Sequence, residues 1–259
     1  MRKLVFIMLM LCAQWSMAQT FQQINEEILK YEQCFEQLSH PEPKSVSHQL
    51  KDGTSVEVIQ RTDYRNKRFL QADPDVRQLN VNIMDNQDLT NWEMQEASKI
   101  FDDAFGVGPA FNIYAHGICD PEGNSSGVRL NGKDLTPAQT AELILRTLND
   151  YELVLNAYNR PFPIVLHTCT SAKGSNPFAA QLQREISKHI KNAVVVAADA
   201  PVYAQIDSKG IYLETISNPP LKANAIGRKW IAFDSNGARQ TSPDWKETVR
   251  TLTSPWSTM

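Results

Sequence analysis

The sequence is short of cysteine, of glycine and of any charge excess. Four cysteines in 259 residues are too few for a disulfide scaffold, which replaces a core with dense crosslinks. Eleven glycines and fourteen prolines exclude collagen and Gly/Pro-rich low complexity, and the chain has no internal repeat or biased tract. The formal net charge is −3, from 26 Lys plus Arg against 29 Asp plus Glu. Residues 19–162 carry 13 basic and 22 acidic side chains, and residues 163–259 carry 11 and 7, so neither part is basic enough for nucleic acid to be the main partner. Long apolar runs are missing too. The longest, Leu4 to Ala13, is about half of what a membrane-spanning helix needs, and no membrane span is expected. What is present is a globular balance, 42% apolar and 21% charged, with material for a sizeable core.

Arg2 and Lys3 precede that apolar run and Ser16-Met17-Ala18 follows it, which is the pattern of an export signal over residues 1–18. The mature chain is expected to begin near Gln19, in the periplasm or outside the cell. Leu11, bulky where lipoprotein signals carry a small residue, weighs against a lipid anchor on Cys12. Removal of the signal leaves Cys34, Cys119 and Cys169. Three is odd, so at least one thiol is unpaired within a monomer, either as a buried inert cysteine or as a reactive thiolate.

Ile24, Ile28, Leu29, Cys34 and Phe35 recur at helical spacing, predicting an amphipathic helix over Phe21 to Leu38. Asp52-Gly53 followed by Val56, Val58 and Gln60 predicts a short hairpin strand. Leu79 to Met84 reads as a strand and Asn91 to Phe105 as a helix. Residues 19–106 either supply the first strands of the main sheet, the preferred reading, or form a pro-segment over the cleft. From 107 to 259 strands and helices alternate in the manner of an α/β domain. Ala110 to Ala115 is a buried strand that ends at His116-Gly117, and a polar loop is expected next. A short strand, Val128 to Leu130, meets the Asn131-Gly132 turn, and Thr136-Pro137 opens a helix through Ala141, Leu143, Ile144 and Leu148. Pro163 to Thr168 is the next strand. Asn176-Pro177 should cap a helix reaching about Lys191, and Ala193 to Ala198 a third buried strand. The fold class expected is α/β, a mostly parallel sheet flanked by helices. The segments near Ile211 to Thr215 and Lys229 to Phe233 would add a C-terminal hairpin or edge. Trp230, Phe233, Trp245 and Trp256 are most simply packing residues.

His116 and Cys169 each stand just past the carboxyl end of a predicted parallel strand, the edge where open α/β sheets bind ligands. A cysteine nucleophile needs a base beside it, and imidazole both accepts the thiol proton and returns it to a leaving amine. Gly117 lets its backbone N–H approach a substrate carbonyl, and with the Cys169 N–H it could form an oxyanion hole. From spacing alone, the opposite reading stands at even weight: His116-Gly117 as a turn and Cys169 as core.

An apolar strand ending in His-Gly, followed 53 residues later by one ending in Cys, resembles the caspase-like clan of cysteine peptidases. The nearer resemblance is to the autoprocessing cysteine protease domain of large bacterial toxins. It is carried by Phe111-Asn112-Ile113-Tyr114-Ala115-His116-Gly117, Val128-Arg129-Leu130-Asn131-Gly132, Ile164-Val165-Leu166-His167-Thr168-Cys169, Phe178-Ala179-Ala180-Gln181-Leu182 and Val194-Val195-Val196. It covers about residues 108 to 233. The resemblance implies a caspase-like sheet and a His/Cys dyad without an obligatory third carboxylate, with His116 as the histidine, Cys169 as the nucleophile and Gly117 as an oxyanion donor. Several of the toxin domains are switched on by inositol hexakisphosphate through a basic surface. The second half of this chain is only mildly basic, so no cofactor is expected. The caspase pentapeptide around the cysteine is absent, and aspartate specificity is not implied.

Three lesser candidates accompany the dyad. Asp199 follows the third buried strand, where it either holds a basic substrate side chain or, the preferred reading, caps a turn beside Ala200-Pro201. His167 is two residues before Cys169 and is better read as an interior histidine than as the base. His116, Cys119 and Cys169 include the zinc-ligand spacing His-x-x-Cys, but no fourth ligand is evident and no metal is expected. Cys119 either pairs with Cys34 or stays inert. The function expected is a secreted, self-processing cysteine endopeptidase whose partner is a peptide or protein substrate, itself included. The rival is a catalytically silent secreted effector or binding protein on the same scaffold.

Overall fold

A computed structural model describes residues 41–66, 77–85, 93–104, 107, 109–148, 160–206, 212–215 and 230–254. The expected export signal, the helix over Phe21 to Leu38, Cys34 and Trp256 lie outside the described residues. The chain divides into compact units Met1–Pro41 and Glu42–Met259, and every element below belongs to the second.

Its strands and helices follow in the order β1 (Lys44–Gln49), β2 (Ser55–Asn66), β3 (Arg77–Asp85), α1 (Glu93–Ala104), β4 (Ala110–Tyr114), β5 (His116–Cys119), β6 (Ser125–Leu130) and β7 (Lys133–Leu135). There follow α2 (Pro137–Leu148), β8 (Phe162–His167), α3 (Phe178–Ile186), β9 (Ala193–Ala198), β10 (Tyr203–Ile206), β11 (Tyr212–Thr215), β12 (Trp230–Asp234), β13 (Gly237–Gln240) and α4 (Trp245–Thr253). Eight strands make one sheet in the order β1-β2-β3-β4-β8-β9-β12-β13. Its centre, β3-β4-β8-β9, is parallel. Both flanks are antiparallel, β1-β2 against β3 on one side and the β12-β13 hairpin against β9 on the other. The sheet is therefore mixed, with the expected parallel core at its centre. β3 and β4 are hydrogen-bonded neighbours, so residues on both sides of position 107 build one sheet.

Alternation along each strand sends side chains to two faces, and both faces are covered, which is why the central strands read as continuous apolar runs. On one face Phe111, Ile113, Ile164, Leu166, Val195 and Ala197 pack with Leu143, Ile144 and Leu148 of α2 and Phe178, Leu182 and Ile186 of α3. On the other, Val165, Val194 and Val196 meet Trp230 and, from α4, Trp245, Val249 and Leu252. Ile59, Met84 and Tyr114 meet Ala97 and Phe101 of α1 on a third cluster. Each fully buried aromatic or aliphatic side chain stabilises the fold by roughly 1.5–3 kcal/mol. No helix among the described residues is long and apolar enough to cross a membrane.

Local chemistry sets the element ends. Thr136 Oγ1 accepts from Gln139 N at 3.3 Å while Gln139 Oε1 accepts from Thr136 N at 2.9 Å, a capping box that starts α2 where Thr136-Pro137 predicts it. Helix α3 departs from expectation at both ends. Pro177, which has no side-chain acceptor, occupies the N-cap, and Asn176 Oδ1 accepts from Arg184 Nη2 at 2.6 Å. The helix stops at Ile186, where His189 N and Ile190 N both turn back onto the Ile186 carbonyl. His116-Gly117 together with Ile118 and Cys119 form strand β5 of a separate antiparallel sheet, β5-β6-β7, and the polar loop expected after them is confined to the turn at residues 120–124.

Candidate active site

The site is assembled from the register of β4 and β8. Tyr114 and His167 are paired across these parallel strands, and two residues beyond each lie His116 and Cys169. Past its partner each chain turns differently. His116 begins β5, opposite Arg129 of β6, and is exposed. Cys169 leads a tight loop and is partly buried.

Gly117 joins the two. A β-carbon at position 117 would stand 2.0 Å from the Cys169 carbonyl oxygen and 3.2 Å from the Cys169 nitrogen. No side chain fits there, so glycine is required by contact rather than by its backbone angles. The same approach sets the Gly117 and Cys169 peptides side by side.

The loop after Cys169 is fixed on three sides. Thr170 N donates to the Ala200 carbonyl at 3.0 Å and Ala172 N to the Ala198 carbonyl at 2.9 Å, which binds the loop to the end of β9. Ala179 N, at the start of α3, donates to the Ser171 carbonyl at 3.0 Å, and Ser125 N of β6 to the Lys173 carbonyl at 3.1 Å. Inside the loop the Thr168 and Ser171 hydroxyls are hydrogen-bonded and buried. Thr170 has φ 58, a left-handed conformation that a β-branched residue adopts only under constraint. Across the loop, the β5–β6 turn is clasped by Asp120, which accepts from Asn124 N at 2.7 Å and Asn124 Nδ2 at 3.1 Å. The backbone bond from Asn124, then its side-chain amide, holds the Asp120 carboxyl below the usual range. At the other end of the same sheet Arg129 grips Asp134 through two bonds, at 2.5 and 2.9 Å.

Among the described residues Cys119 and Cys169 are both free thiols. Cys169 Sγ donates to the Val202 carbonyl at 3.6 Å. Cys119, exposed, lies 3.1 Å from Thr170 Oγ1; its pairing with Cys34 falls outside the described residues. Among the described residues no group of three or more His, Cys, Asp or Glu side chains is placed to hold a metal ion.

His167 belongs to the interior. It is 6% exposed, stacked on Tyr114 at 4.1 Å and met edge-on by Trp245 at 4.7 Å. Asn112 Nδ2 donates to Asn82 Oδ1 at 3.0 Å, which leaves Asn112 Oδ1 to accept from His167 Nε2 at 3.1 Å. Trp230, Phe233 and Trp245 are likewise buried packing residues. Asp199 stands between the Ala198 and Ala200 carbonyls that receive the Cys169 loop. Its Oδ1 is buried without a hydrogen-bond partner, so it makes no turn cap through that atom.

No family model matches the chain, and no curated protein matches it. The site therefore stands on its own geometry. Sequence reasoning missed the pairing of the Cys169 loop with 198–200, the constrained Thr170 and the Ser125–Lys173 tie. These are main-chain contacts between distant segments, and only the small residues after Cys169 and the polar Asp120 to Asn124 turn hint at them. A groove of about 600 Å³ lies elsewhere, between α3 and the β12–β13 hairpin. Ala172 and Gly174 line its upper end, and none of His116, Gly117 or Cys169 does.

Proposed function

We propose that this protein is a cysteine endopeptidase with a caspase-like core, exported and able to process itself. The observation that carries the proposal is the contact of Gly117 with the Cys169 peptide, beside equal offsets of His116 and Cys169 from one register pair. In this mechanism His116 takes the thiol proton as sulfur adds to the scissile carbonyl carbon. The Gly117 and Cys169 N–H groups hold the oxyanion. Collapse breaks the C–N bond, and the leaving amine receives the proton from His116. Water then hydrolyses the thioester, giving the carboxylic acid and restoring the thiol.

A second reading, a silent binding protein on this scaffold, draws on the bond from Cys169 Sγ to the Val202 carbonyl, which engages the thiol as a donor to backbone. Cleavage separates the two. Full-length exported protein under reducing conditions is incubated alone and with an unfolded protein substrate, beside Cys169→Ala and His116→Ala. Cleavage by the wild type that both variants lose supports the peptidase, and cleavage unaffected by either contradicts it.

A further inference from the structure

We infer that Asp199 selects the substrate, holding an arginine or lysine side chain next to the bond that Cys169 attacks. The inference rests on the peptidase reading and adds its substrate class. Three observations converge on it. Asp199 sits at the carboxyl end of β9, the strand beside β8, at the edge of the sheet where Cys169 stands. The backbone on either side of it is committed to the Cys169 loop, through Ala198 accepting from Ala172 and Ala200 from Thr170, so its Cα is held in fixed relation to the nucleophile. Its carboxylate takes part in no hydrogen bond or ion pair among the described residues, and Oδ1 is buried.

The last point decides between the two roles the sequence leaves open. An aspartate that caps a turn shows it by accepting a nearby backbone N–H. Asp52 does this with Thr54 N at 2.9 Å, and Asp244 with Lys246 N at 2.8 Å. Asp199 does not. A carboxylate oxygen removed from water without a partner is costly, and native structures keep such groups where something else satisfies them. Asp199 remains partly accessible, so a cation can reach it from outside. A guanidinium presents two parallel N–H donors to a carboxylate, an ammonium only a point charge, which ranks arginine above lysine.

The test uses the full-length protein and a set of peptide acyloxymethyl ketones that differ only in the residue before the reactive group: Arg, Lys, Leu or Asp. Intact mass gives the rate of labelling of Cys169. Wild type should react fastest with the Arg probe, then Lys. Asp199→Asn, of the same shape, should lose about 100-fold with the Arg probe, the scale of removing one partner of a desolvated charge pair, while its Leu rate is unchanged. Asp199→Glu keeps the charge and should keep the preference for basic probes, which guards against a folding defect in the first variant. Faster labelling by Leu or Asp probes, or an Arg rate indifferent to Asp199→Asn, overturns the selectivity and leaves the peptidase standing. If iodoacetamide alkylates Cys169 but no peptide probe does, the peptidase reading falls and takes this inference with it.

Discussion

Gly117 and Cys169 touch through their backbones, with 2.0 Å between the place of a β-carbon on Gly117 and the Cys169 carbonyl oxygen. That contact is what turns two strand ends into one site. Gly117→Ala must push β5 away from the Cys169 loop, because the obstructing atom is backbone and cannot rotate aside. Peptidase activity should fall at least about 100-fold, as displacement of a reacting group by an ångström does. Gly53→Ala is the control. Gly53 has φ 88 and open space around its β-position, so alanine there should cost about 1 kcal/mol in stability with cleavage unchanged. Thermal melts and cleavage rates of the two variants check both halves, and equal activities would contradict the assigned contact.

The two histidines near the site should separate cleanly. His116→Ala should lower cleavage by about 10²–10⁴-fold, the range for loss of a general acid–base, with little change in melting temperature because the side chain is exposed. His167→Ala removes a ring stacked on Tyr114 and leaves Asn112 Oδ1 unpaired, and should destabilise by about 2–4 kcal/mol. Cleavage at a temperature where it stays folded should persist. Retained activity in the first variant, with loss in the second while folded, would make His167 the base.

Asp63 gives the fold a pH dependence of known sign. It lies buried beside Arg61, with Arg61 Nε 2.9 Å from its Oδ2. Burial outweighs the guanidinium, and the carboxyl is pushed up to about 6 from 3.8. The folded state therefore holds this proton more tightly than the unfolded chain does. The stability so gained is complete below the unfolded value and is lost as pH rises through about 6, a change on the order of 3 kcal/mol. Asp63→Asn lacks this titration. Denaturant melts from pH 4 to pH 8 should show the variant gaining on wild type as pH rises. A variant that instead loses ground would mean that the Arg61 pair governs.

Much of this arrangement was legible in the sequence where local rules suffice. The central strands announce themselves by apolar runs buried on both faces, and α2 by the Thr136-Pro137 pair at its start. The strand ends single out His116, Gly117 and Cys169 as candidates, and the structure sets the Gly117 and Cys169 backbones against each other. β1 was missed because its side chains alternate between exposed and half-buried, so its apolar signal is weak. The hairpin signal covers less than the twelve residues of β2, since its second half carries Arg61 and Asp63, which are buried as a pair with Arg61 also bonded to Asp102. β5 carries no strand signal of its own, since a strand of four residues gains its order from β6 and not from its own composition. For Asp199 the sequence favours a turn cap, and the unbonded, buried Oδ1 separates that role from the other.

The central claim is that Cys169 is the nucleophile, and intact mass after a thiol-reactive peptide inhibitor tests it most directly. Full-length protein and Cys169→Ala are treated in parallel under reducing conditions, with Cys119→Ala as a third sample because Cys119 is the other free thiol among the described residues and the more exposed of the two. One inhibitor added to wild type and to Cys119→Ala, and none to Cys169→Ala, is the expected result. Labelling that survives in Cys169→Ala and vanishes in Cys119→Ala would contradict it.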